Sequence, residues 1–116
     1  VKLEPNQHDY LLELYTLKAK KGSIEKVRKY ARMYYFLGEG EKLIKEGKYQ
    51  EAMIQLLQAR QENDQSHLPL VKMGDMFWYL NDIENAKLNY QLATKRTQDI
   101  LVWSKYIQSL IQSYEW

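Results

Sequence analysis

The sequence predicts an all-α protein built from repeated helical hairpins, on three observations. First, the stretch from Met33 to Gln98 carries one pattern twice. Gly40, Ala52 and Ala59 return as Gly74, Ala86 and Ala93, all displaced by the same interval. A constant period of about 34 residues marks stacked repeats, because so small a unit cannot bury its apolar face alone. Second, large apolar residues such as Leu70, Met73, Phe77 and Leu80 recur at helical spacing, which puts them on one helix face. Third, the chain has only Pro5 and Pro69 as prolines and no β-branched runs bounded by turn dipeptides, so no strand pattern is present.

Taken in order, Val1 to Pro5 reads as a tail, since Pro5 disfavours helix before it. A first helix starts at Asn6 or Gln7, with Tyr10 or Leu11, Leu14, and Leu17 or Lys18 on one face. Lys20-Lys21-Gly22 stops it, two cations near the negative end of the helix dipole followed by glycine. Ser23 caps the next helix, and Ile24, Val27, Ala31 and Tyr34 form its stripe. No Pro, Asn or Asp separates this stripe from Gly40, so one long helix is expected from Ile24 to Glu46, with Gly38 and Gly40 as the place for a kink or break. Such a helix, like the last one of the chain, also offers a self-association face.

Gly47 turns the chain into a helix carrying Tyr49, Ala52, Leu56 and Ala59. After the loop Asn63-Asp64-Gln65-Ser66, Ser66 caps a helix with Pro69 in its first turn, where a missing N–H costs nothing. Asn81-Asp82 ends it, Asn tolerating left-handed backbone and Asp capping the return helix. Ile83, Ala86, Tyr90 and Ala93 line that return helix. Thr97-Gln98 turns again and Asp99 caps the last helix, Ile100 to about Tyr114. Trp103, Ile107, Leu110, Ile111 and Tyr114 share one side of it, and Gln108, Gln112 and Ser113 supply polar surface. Gly40 and Gly74 fall mid-helix, where glycine costs about 1 kcal/mol against alanine. Close helix approach explains them, with Ala52 and Ala86 expected opposite.

These residues resemble the tetratricopeptide-repeat family. Its unit of about 34 residues has a large residue, Leu-Gly and an aromatic on the first helix, then Ala, an aromatic and Ala on the second. The second unit matches at Leu70, Met73, Gly74, Phe77, Ala86, Tyr90 and Ala93. The first matches at Phe36, Gly40, Leu43, Gly47, Tyr49, Ala52, Leu56 and Ala59, although Glu39 replaces the Leu before Gly40 and neither unit ends in Pro. The resemblance implies a right-handed α-solenoid of stacked antiparallel hairpins: one domain over 1–116, with a degenerate hairpin at 1–38, repeats at 33–66 and 67–99, and a terminal or truncated helix at 100–116.

Composition narrows the function classes. Without cysteine there are no disulfides, thiolate nucleophiles or Cys-type zinc sites. A net charge of +2 gives no strong pull toward nucleic acid or acidic lipid. No apolar run approaches the roughly 18 residues of a membrane span. No signal peptide is visible, and a cytoplasmic location is expected. The start at Val1 and the end inside an amphipathic pattern read as a fragment of a longer protein. His8 and His67 lack partners of ligand chemistry at helical spacing, and no nucleophile or phosphate-loop motif is present. The expectation is therefore a non-enzyme without cofactor or metal.

The resemblance implies a scaffold that binds a partner protein or peptide in a concave groove lined by first helices. The matching positions are Leu37, Glu41, Ile44 and Lys45, then Val71, Lys72, Asp75, Trp78 and Tyr79, and finally Lys105, Ser109 and Gln112. Trp78 and Tyr79 form an aromatic centre of the kind that anchors interfaces. Leu37 and Glu41 stand where one subclass of the family clamps a C-terminal carboxylate with Lys and Asn, which argues against that ligand. The alternative is an adaptor that binds nucleic acid or an acidic protein through Lys18, Lys20, Lys21, Lys26, Arg28, Lys29 and Arg32, a cluster that the solvated side of two helices explains as well. Tyr30, Tyr34, Tyr35 and Phe36 nearby could stack on bases but are expected in the helical core.

Overall fold

The computed structural model describes residues 24–114, and these form five α-helices and no strand. The helices are α1 (Ile24–Lys45), α2 (Tyr49–Glu62), α3 (Leu68–Tyr79), α4 (Ile83–Thr94) and α5 (Ile100–Ser113). The expected helix from Asn6, its stop at Lys20-Lys21-Gly22 and the Ser23 cap lie outside the described residues.

The long helix forms as expected. It runs 22 residues without interruption through both Gly38 and Gly40, about 33 Å at 1.5 Å per residue. At its end Gly47 has φ +77°, and at the matching place in the second unit Asn81 has φ +63°. Glycine adopts this left-handed backbone without a Cβ penalty, and Asn tolerates it better than other residues because its short polar side chain bonds locally. The Gly47 amide donates to the Ile44 carbonyl at 3.0 Å and that of Lys48 to Leu43 at 2.9 Å. Asn81 to Trp78 and Asp82 to Phe77 repeat these bonds at 3.0 and 2.8 Å. Such paired bonds satisfy the carbonyls orphaned by a helix end.

The return helices start alike. Lys48 has φ −94°, ψ 71° and Asp82 has φ −93°, ψ 78°. Only Asp82 caps with its side chain, accepting from the Asn85 amide at 3.3 Å. At α3 the helix begins shortly after Ser66, whose hydroxyl still accepts the Leu68 amide at 3.2 Å. Asp99 takes the Leu101 amide at 2.9 Å and opens α5 where expected.

Each short turn folds two helices together, α1 on α2 and α3 on α4, and α4 and α5 also pack. The core holds Met33, Leu37, Ala52, Leu56, Ala59, Leu70, Met73, Met76, Ala93 and Val102. Burying a Leu side chain as fully as Leu56 or Leu70 stabilises by about 2–3 kcal/mol before cavity terms. One expectation is corrected. Leu80 sits past the end of α3 and is exposed, not in the apolar face. The groups nearest the mid-helix glycines are large side chains one turn on from Ala52 and Ala86, with the Ala52 carbonyl also 3.6 Å from a Cβ on Gly40. A Cβ on Gly40 would stand 2.8 Å from Leu56 Cδ2, and one on Gly74 2.5 Å from the Tyr90 ring. The glycines thus make hollows for large residues, and the buried alanines border them.

Candidate partner-binding surface

On α3, Leu70, Met73 and Gly74 are buried, and Gly74 receives the Tyr90 ring from α4. Val71, Asp75 and Tyr79, spaced by four, then follow the side of α3 away from Met73, and Trp78, one turn beyond Gly74, lies on the flank between that side and the core. Tyr79 is 71% exposed and its ring centre lies 6.0 Å from that of Tyr49. Trp78 is half-buried beside it. Ile44 and Lys45 occupy the equivalent end of α1, half-buried and exposed respectively.

The charges on this side pair with one another. Lys72 Nζ donates to Glu41 at 2.6 Å, joining α3 to α1. Lys105 Nζ donates to both Asp75 oxygens, at 2.9 and 3.0 Å, joining α5 to α3. Asp75 also accepts the Tyr90 hydroxyl at 2.5 Å, so one carboxylate ties three helices. Burial, then the bond to Asp75 and its charge, push the Tyr90 phenol well above the usual tyrosine range. Both ion pairs are partly solvated, so each stabilises by no more than about 1 kcal/mol. Their effect is to neutralise the surface and fix the order of α1, α3 and α5.

The structure therefore brings Glu41, Lys72, Asp75 and Lys105 together as an ion-pair ladder, with Val71, Trp78, Tyr79 and Lys45 around it. Two of the expected contact residues do not join them. Leu37 is core, and Ser109 is fully buried with its hydroxyl donating to the Tyr106 carbonyl at 2.6 Å. The reason is a register change. Glu41 and Asp75 are separated by the full repeat interval, but their lysines, Lys72 and Lys105, by one residue less. Ser109 thus corresponds to buried Met76 rather than to Asp75. Gln112 is exposed on α5.

Sequence reasoning missed the Tyr90–Asp75–Lys105 network. Its one signal is that a tyrosine at a core position needs a partner for its hydroxyl. On α5, Trp103, Ile107, Ile111 and Tyr114 share the outward side, while Val102 and Ser109 are buried.

The basic stretch is only partly described, Lys18, Lys20 and Lys21 lying outside the described residues. Arg32 pairs with Glu62 at 2.9 Å and Arg28 with Glu25 at 3.9 Å. The hydrogen bond with Glu62, then its charge, raise the Arg32 pKa further. Lys26 and Lys29 are exposed. Ala31, Arg32, Tyr35 and Phe36 line a hollow of about 270 Å³. Among the described residues no three His, Asp or Glu side chains are grouped to hold a metal, and no helix is long and apolar enough to cross a membrane. His67 precedes α3 and makes no side-chain cap. No family model, curated protein or solved structure matches the chain.

Proposed function

We propose that this chain is a tetratricopeptide-like interaction module, a right-handed solenoid of helical hairpins without catalytic chemistry. Its partner is a protein or peptide segment held on the α1–α3 side around Trp78 and Tyr79. The observation that carries the repeat reading is the turn at Gly47 and Asn81, which recurs at the repeat interval with the same backbone sign and the same bonds. What supports the binding reading is a large aromatic area, led by Tyr79, beside charges that already have partners. A neutralised surface with aromatic anchors suits a peptide better than a polyanion, because aromatic pockets supply affinity that salt does not screen.

Capture of a partner from extract, with wild type compared against Tyr79→Ala and Trp78→Ala, tests this. The two variants should keep their helicity and lose at least about tenfold in affinity, the scale of a hot-spot truncation above roughly 1 kcal/mol. Binding that falls steeply with salt and survives both variants would instead assign the partner to the basic face.

A further inference from the structure

The outward side of α5 carries an apolar stripe. Ile100, Trp103, Ile107 and Ile111 form it, with Tyr114 just past the helix end, all between 42% and 78% exposed. It lies opposite buried Val102 and Ser109. The register set by the ladder relates Trp103 to Leu70 and Ile107 to Gly74. On α3 those positions are buried, with Tyr90 of α4 against Gly74. On α5 the same side has no helix against it among the described residues. Moreover, Ile107 fills the place where Gly74 leaves a hollow, so α5 cannot receive a large residue there as α3 does.

We propose that this stripe pairs with the same stripe of a second copy of the chain, as an antiparallel α5–α5 contact with its two-fold axis at Ile107. The spacing is self-complementary. Ile100 and Tyr114 flank Ile107 at equal separations, and so do Trp103 and Ile111. An antiparallel pair centred there sets Ile107 on Ile107, Trp103 on Ile111 of the second copy, and Ile100 beside the Tyr114 that follows the second copy's helix. Isologous contacts require this matching of a patch with itself.

The charges permit it. Lys105 is the only charged residue of α5, and it is held by Asp75 on the other side. Two stripes therefore meet without like charges. The Trp103 indole N–H donates to the Thr97 carbonyl at 3.2 Å, so its polar atom already has a partner. The stripe by itself is smaller than the roughly 800 Å² per partner of a standard specific interface. A micromolar dimer is the expected result.

Sedimentation and light scattering over a hundred-fold concentration range read this directly. The chain should pass from monomer to dimer, and Ile107→Glu should shift the midpoint at least tenfold with unchanged circular dichroism. Mixing Ile107→Glu with Ile107→Lys should restore the dimer, which only a contact near the axis does. Because the chain has no cysteine, an Ile107→Cys variant, whose thiol meets its own copy at the axis, provides a second check. It should form an intermolecular disulfide under mild oxidation faster than Glu84→Cys on α4. A monomer at every concentration would overturn the proposal. Dimers indifferent to Ile107, or equal cross-linking at both cysteines, would overturn it as well.

Discussion

Gly38 and Gly74 are both helical glycines, but an added methyl group has opposite consequences at the two. At Gly38 it meets nothing within 4 Å, whereas at Gly74 it runs into the buried Tyr90 ring. Gly38→Ala should therefore raise stability by about 0.5–1 kcal/mol through helix propensity. Gly74→Ala should lower it by about 1–3 kcal/mol through overpacking. Gly40→Ala should fall between, because the contact is the mobile end of Leu56. Urea denaturation of the three variants reads all of this. Tyr90 adds a pH dependence. Its phenol pKa is raised in the folded chain, so its contribution is complete below the ordinary value near 10. It is lost as pH rises above that, by at most about 1.4 kcal/mol per pH unit. Tyr90→Phe should be less stable at neutral pH by about 1–2 kcal/mol, the scale of a bond to a charged group. That deficit should shrink above about pH 10, as melting curves at stepped pH would record.

Among the elements, the turns decide most. Gly47 and Asn81 share positive φ, but only glycine holds it without steric cost. Gly47→Ala should cost about 1 kcal/mol and Asn81→Gly should be neutral or stabilising, both measurable by thermal unfolding. The turns, the long helix from Ile24 and the Asp82 and Asp99 caps were legible in the sequence, because each rests on local backbone chemistry; that the helix passes Gly38 and Gly40 unbroken was not. The partner of each glycine was not legible. A repeat period states which positions are equivalent, not which side chain of the facing helix reaches across. The register of α5 was hidden for a related reason. α4 ends at Thr94 and α5 opens at Ile100, both earlier than the first unit's spacing projects. Counting by the repeat period therefore assigned buried Ser109 to the surface. The ion pair, which spans helices, reveals the offset.

Across the whole molecule the first helices are joined by two modest ion pairs, and the apolar core supplies most of the stability. Removing one pair without leaving a bare charge, as in Glu41→Gln with Lys72→Met, should lower stability by less than about 1 kcal/mol. The difference should narrow further in molar salt, as denaturation at two ionic strengths would measure. The surface charges of α1 and α3 are thus paired, while Tyr79 beside them stays exposed.

The matching closures at Gly47 and Asn81 make the molecule extensible. A duplicate of residues 41–74 spliced in after Gly74 would join at both seams to neighbours of the kind its ends already have. Glu41 of the insert would find the Lys72 one hairpin further on, and Asp75 would keep Lys105. Such a lengthened chain should fold into a longer rod with one more hairpin and melt at a higher temperature than its parent.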